Sequence, residues 1–245
     1  MNTKTGLLVR REFQGYLQTP IAMFLLVIFS VLSVALTFYI GNFFEREIAD
    51  LRPFFQFHPW IYLFLVPAVG MRLWSEEYRS GSAELLLTLP VTTAQVVLAK
   101  FLAGWLLLGC ALLMTVPMWI SVNILGDPDN GVILTGYVSS WLVSGTFLAI
   151  SSSVSASTQN QVVAFIVSAV LCFMLLMAGW PLVLEPVALL APQWLIDGIA
   201  RLSVLVHFSS MARGVLDGRD VLYFTALMFL GLIMTWASVE MKKAS

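Results

Sequence analysis

Arg72-Leu73-Trp74-Ser75-Glu76-Glu77-Tyr78-Arg79-Ser80-Gly81-Ser82-Ala83-Glu84-Leu85-Leu86-Leu87-Thr88-Leu89-Pro90 is the densest run of charge in a chain that is otherwise mostly apolar. Hydrophobic segments flank it on both sides, so it reads as a polar excursion between two membrane crossings. Its own apolar run, Leu85 to Leu89, is far too short to span a bilayer, which takes about 20 residues. That run must lie along a surface or against another protein. The residues predict a short helix over 82–89. Ser82 suits the N-cap, and Glu84 falls in the first turn, where a carboxylate meets the positive end of the helix dipole. Gly81 permits a sharp change of direction just before it. Pro90 ends the helix by pushing the residue before it out of α geometry. Thr92 and Gln95 then form a capping box that opens the next long helix.

Hydrophobic residues make up 59% of the chain and charged residues 11%, against roughly 45–50% and about 25% in a soluble domain. This composition belongs to a membrane protein. The net charge of −1 gives no electrostatic case for binding nucleic acid, and no stretch is long enough for a separate soluble domain. Residues 1–245 therefore read as one transmembrane domain with six spans, at 21–40, 55–73, 96–122, 132–155, 162–184 and 221–239. The apolar run after Pro20 is longer than the core of a signal peptide and no clear cleavage site follows, so it reads as a span. Pro67 and Pro117 are expected to bend the second and third spans. The serines and glycine of the fourth fit close helix packing in lipid. Cys110 and Cys172 both fall inside spans, so no disulfide is expected.

Between the spans, Leu7 to Gln18 predicts an amphipathic helix with Val9, Phe13, Tyr16 and Leu17 on one face. Arg10, Arg11, Gln14 and Gln18 lie elsewhere on it, as in a helix lying in the membrane interface. Asn42 to Pro59 reads as a polar, aromatic-rich loop, the second span reaching back towards Phe54. Gly126 to Gly131 reads as a tight turn, its two aspartates turn formers rather than metal ligands. Residues 185–220 are too apolar for a disordered loop. Pro186, Pro192, Gly198, Gly214 and Gly218 are expected to divide them into short helical pieces, partly inserted from the far side. Trp60, Trp74, Trp180 and Trp194 fall near span ends, as an aromatic belt requires. Of the 13 lysines and arginines, those on the side of the 72–90 stretch are Lys4, Arg10, Arg11, Arg72, Arg79, Lys100, Lys242 and Lys243. The other five fall opposite, so the stretch, the 156–161 link and both termini are expected in the cytoplasm.

Glu77, Arg79, Gly81, Ser82, Glu84, Leu86 and Pro90 resemble the first cytoplasmic loop of ABC-2-type transporter permeases, most nearly the gliding-motility-associated type. Arg11-Glu12-Phe13 with Thr19 to Ala22 is similar to the family's elbow helix, and Thr158 to Phe165 to its second cytoplasmic loop. Phe208, Gly214, Asp217 and Asp220 to Tyr223 resemble its pattern before the last span. The resemblance implies an all-α polytopic membrane protein of the bacterial inner membrane with six transmembrane helices. It also implies an elbow helix over 7–18 carrying Arg10, Arg11 and Phe13, and a coupling helix over 82–89. Docking on a cytoplasmic ABC ATPase would use Glu76, Glu77, Arg79, Gly81, Ser82, Glu84, Leu85, Leu86, Leu89 and Pro90. Thr158, Asn160 and Gln161 would support it from the second loop. ATP and magnesium would sit on that partner and no cofactor on this chain. The same resemblance implies a second permease copy or a similar permease, a far-side auxiliary subunit in some relatives, and export rather than import. Tyr78 departs from the family, which often has a basic residue there.

Motifs missing from the sequence point the same way. No GxxxxGK[ST] loop is present to cradle ATP phosphates, and no HExxH zinc helix; nor is there a GxSxG elbow. His58 and His207 have no ligand-spaced partner and read as packed or interfacial. The middles of the spans lack the ionisable residues that mark an ion-coupled pathway, so the energy must come from elsewhere. The competing reading is an integral-membrane enzyme or a passive channel. The fourth-span serines are its only candidates, with no His or carboxylate at helical spacing and no polar stripe through several spans. The substrate is not legible.

Overall fold

The computed structural model describes residues 3–45, 48–81, 91–188 and 192–244, and over these the chain is helical with no strand. In order come α1 (Thr3–Leu17), α2 (Pro20–Tyr39), α3 (Arg52–Gln56), α4 (His58–Gly70) and α5 (Arg72–Ser80). There follow α6 (Thr93–Leu113), α7 (Val116–Leu125), α8 (Asn130–Ser157) and α9 (Gln161–Met177). The last four are α10 (Pro181–Ala188), α11 (Gln193–Arg201), α12 (Val204–Met211) and α13 (Gly218–Ala244).

Local chemistry sets many of the helix ends. The Thr92 hydroxyl accepts the Gln95 N–H, and the Gln95 side chain accepts the Thr92 N–H at 3.1 Å, the reciprocal box expected at the start of α6. Asp129 caps α8 by accepting from Gly131 and Val132, which accounts for that carboxylate as a helix cap. Asn160 does the same for α9 through Val162 and Val163. Pro20, Pro53, Pro59 and Pro117 all stand in first turns, where a missing N–H costs nothing.

Among the described residues, four helices are long and apolar enough to cross a membrane: Ala22–Tyr39, Thr93–Leu125 with α6 and α7 taken together, Asn130–Ser157 and Gly218–Lys243. The second and fifth expected spans take other forms. The second is bent into α3, α4 and α5 at Phe57 and Met71. Pro67 lies within α4, and the break comes four residues later at Met71, whose N–H still reaches the Pro67 carbonyl. The fifth stops at Met177 rather than at 184, ahead of Gly179 and Pro181. In the third, the chain turns at Met114 and Thr115, where the Thr115 hydroxyl donates to the Leu112 carbonyl. Pro117 cannot supply the N–H that would continue that ladder.

At the centre stands α8, touching α4, α5, α6, α9, α12 and α13. Ser139, Ser144 and Ser151 on it are buried and donate to carbonyls of their own helix. Hydroxyls satisfied in this way add little bulk, so neighbouring helices approach closely. A Cβ on Gly231 of α13 would lie 2.8 Å from the Ala149 backbone, so only glycine fits that crossing. The outer faces of α2, α9 and α13 expose Phe24, Val31, Val170, Phe229 and Ile233, as a face turned to lipid does.

Several expectations change. Leu17 is exposed, and α1 packs on α6 through Thr5 and Val9, with Phe13 and Tyr16 against the core. A helix resting on a curved neighbour uses a narrower stripe than one lying on a flat surface. Of the residues expected as a loop over 42–59, Arg52–Gln56 form α3 and pack on α8, and Phe43, Leu51, Phe54 and Phe55 are buried, while Asn42, Phe44, Glu45 and Ile48 are exposed. Pro192 and Gly218 fall at helix starts and Gly214 in the turn after α12, but Pro186 and Gly198 lie inside α10 and α11. Trp74 is wholly buried and belongs to no belt. Trp60 and Trp180 meet edge to face at 6.0 Å, while Trp105 and Trp141 stack at 4.2 Å midway along α6 and α8. His58 is buried and shares a 2.8 Å hydrogen bond with Ser140. His207 holds α12 to α13, 2.7 Å from Asp220.

Candidate coupling site

The polar stretch resolves into a nine-residue helix, α5, and a turn. Leu73, Trp74 and Ser75 form its buried face. Gly81 ends it at φ +72°, a left-handed position that suits glycine, with its N–H on the Tyr78 carbonyl. Arg79 stands exposed in the last turn, where a cation complements the negative end of the helix. The coupling helix expected over 82–89, with Ser82, Glu84, Leu85, Leu86 and Leu89, lies outside the described residues, as does Pro90.

Two inward attachments hold α5. The first is Ser155 of α8, whose hydroxyl oxygen accepts from the Trp74 and Ser75 N–H groups at 3.1 and 3.0 Å. The same hydroxyl donates to the Met71 carbonyl at 2.7 Å. These are the groups left over where the helix bends at Met71, so one side chain of the central helix supplies what the break removes. The second attachment is ionic. Lys100 of α6 is 4% exposed, and its ammonium donates to Glu12 of α1 at 3.1 Å and to Glu77 of α5 at 2.5 Å. The ammonium also lies 5.6 Å from the Trp74 ring centre. Helices α1, α5 and α6 therefore meet at one lysine.

On the outer side, Arg72 and Glu76 form a two-point ion pair at 2.7 and 2.9 Å. Hydrogen bonding from Arg72 holds the Glu76 carboxyl below its ordinary value, against the effect of partial burial. Tyr78 stacks on Trp74 and takes the Lys242 ammonium 4.0 Å over its ring. Burial first, then the Glu77 charge, pushes the Tyr78 phenol up to about 12, so it stays neutral. Where the resemblance leads one to expect a basic side chain, the positive charge arrives from the C-terminal end of α13.

The expected site residues thus divide. Glu77 faces inward, Glu76 pairs with Arg72, and Arg79 is exposed with no ion pair among the described residues. Arg10 and Arg11 are exposed on α1, and Phe13 packs on the core. Arg11 and Glu12 line a cleft of about 330 Å³ with Glu76 and Glu77. Thr158 and Asn160 serve as caps, the Thr158 hydroxyl accepting the Asn160 N–H, and Gln161 is the first residue of α9. This second loop reaches the same end of the molecule, because α9 touches α5. Sequence reasoning missed Lys100, Ser155 and Lys242. Lys100 carried a signal: a lone lysine two turns into an apolar helix, with unpaired glutamates elsewhere in the chain.

No curated protein matches the chain. Residues 7–235 match the family model described as ABC-2 family transporter protein. That match covers nearly the whole chain, with three of the four long apolar helices and most of the fourth, and so the chain belongs to the ABC-2 transporter family of membrane transport subunits.

Proposed function

We propose that the chain is the permease subunit of an ATP-binding-cassette exporter of the gliding-motility-associated type. Family membership implies partnership with an ABC ATPase, which would carry ATP and magnesium. In this reading the permease crosses the bacterial inner membrane six times with both termini in the cytoplasm. The six crossings are α2, α3 with α4, α6 with α7, α8, α9 and α13. Residues 52–70 and the 17 residues of α9 fall at the lower limit of a spanning segment. With Lys100 buried in an ion pair it no longer counts as a loop charge, and the cytoplasmic excess narrows to seven against five. A second copy or a similar permease would cover part of the apolar faces of α2, α9 and α13, and a far-side auxiliary subunit remains compatible with this arrangement.

Coupling would run from the ATPase through a short helix over 82–89 into α5. The observation that supports this reading is the double attachment of α5. Ser155 ties it to the central helix and Lys100 ties it to α6 and α1. A push on the polar stretch would then move spans rather than bend a loop. The hydroxyls of Ser139, Ser144 and Ser151 are engaged within α8, which counts against their serving as a nucleophile or a pore lining. Leu86→Asp would put a charge into an apolar docking contact, a change worth a few kcal/mol at a buried site. At normal membrane levels, this variant is expected to lose the co-purifying ATPase and transport. Full ATPase association and coupling in Leu86→Asp would refute the docking assignment.

A further inference from the structure

We propose that the cleft walled by α3, α4, α9 and α12 binds an amphiphile with an anionic headgroup. It opens where α9 stops at Met177, and has a volume of about 560 Å³. Its floor is apolar, formed by Leu176, Leu205 and Phe208, with the Trp60 and Trp180 pair on one side. Arg52 at the start of α3 and Arg213 after α12 bring two guanidinium groups to its lining from different parts of the chain. Arg213 is oriented by an Nε–H bond to the Ser209 carbonyl at 3.1 Å and has no ion pair among the described residues. Arg52 has Asp50 nearby at 3.5 Å, but its side chain is 59% exposed, and a surface pair of this kind holds weakly.

The lining selects its ligand by two features at once. Guanidinium forks match phosphate or carboxylate oxygens, and an apolar floor with indole walls takes a hydrocarbon chain. A soluble anion would leave the floor unused, and a neutral lipid would leave Arg213 without an ionic partner. The volume lies within the range of small-molecule sites and suits a headgroup with the first part of its chain. Paired tryptophans set the cleft at the level of the membrane interface. A membrane lipid and a transported amphiphile share this chemistry. The outward orientation of the cleft rests on the six-span reading above, but ligand binding does not, and the experiment below reads binding alone.

The protein is reconstituted in nanodiscs containing brominated phosphatidylglycerol or brominated phosphatidylcholine at equal mole fraction, and tryptophan fluorescence is recorded. The difference between the parent and the W60F/W180F variant isolates the pair. Its quenching is expected to be at least twofold stronger with the anionic lipid. The preference should vanish in R52Q/R213Q, while the other six of the eight tryptophans report an unchanged fold. Equal quenching by both lipids, or a preference that survives R52Q/R213Q, overturns the proposal. In the complex with its co-purified ATPase, stimulation of hydrolysis by phosphatidylglycerol that R52Q/R213Q removes identifies cargo. Binding without stimulation identifies a resident lipid.

Discussion

Lys100 and Arg72 both sit in ion pairs, but burial separates what the two pairs are worth. Arg72 and Glu76 are partly solvated and four residues apart on one helix, a geometry worth about 0.3–0.5 kcal/mol. Lys100 is removed from water between Glu12 and Glu77, so taking away its charge leaves two carboxylates facing each other. We predict that Lys100→Met costs on the order of 3 kcal/mol, the lower end for breaking a buried pair, because the carboxylates keep an edge to solvent. Neutralising Glu12 and Glu77 to Gln in the same variant should recover most of it, as read from thermal midpoints in detergent. An unchanged midpoint for Lys100→Met alone would show that the charges hold nothing together. At this scale, the sequence revealed what is local. The caps at Thr92 and Gln95, and Gly81 at the turn, involve residues within a few positions of each other. Lys100 reads as a solvated charge because its partner Glu12 is 88 residues away, and spacing along a chain carries no record of such a pair.

Helix α5 owes its position to a hydroxyl on another helix. Replacing Ser155 by Ala would leave the Trp74 and Ser75 N–H groups without their partner and remove one donor from the Met71 carbonyl. A buried group left unsatisfied costs about 1–3 kcal/mol. We predict that Ser155→Ala lowers stability by about 2 kcal/mol and speeds amide exchange at Trp74 and Ser75 well above that of α8. Exchange at those two amides equal to the parent would mean that the bend is held by other contacts. Pro67 was the visible signal for a bend in this span, yet the break is at Met71, beside a serine 84 residues distant. Proline marks where a helix loses a donor; where the helix gives way depends on which neighbour can replace the lost bonds. The same reasoning explains the 42–59 segment. Its charges suggested a loop, but among its described residues four side chains, Phe43, Leu51, Phe54 and Phe55, are buried and anchor it.

For the whole molecule, membrane class was legible because composition and apolar run length are sums over many residues, which single misreadings do not disturb; the family was legible only through the resemblance carried by particular residues of the 77–90 stretch. Span pieces were less legible, since bends and early helix ends depend on tertiary contacts. We predict six crossings, tested by labelling single cysteines from outside after Cys110 and Cys172 are replaced. Asp127→Cys should react, and Arg79→Cys and Gln159→Cys should not; reaction at Arg79→Cys would invert or break the topology. Unequal helices also make the subunit uneven in height. At 1.5 Å per residue, the 17 residues of α9 reach about 26 Å, short of a hydrocarbon core about 30 Å thick, whereas the 27 residues of α13 exceed it. If α9 is a crossing, as proposed above, lipid beside it would thin to meet it, at a cost of fractions of a kcal/mol per Å of mismatch. The bilayer around this protein would then be dimpled on one flank and flat on the other, an elastic asymmetry that would draw short-chain lipids to the α9 flank. Thermal midpoints across a phosphatidylcholine chain-length series should peak at shorter chains than the bulk membrane favours, and a peak at the longest chains would rule the dimple out.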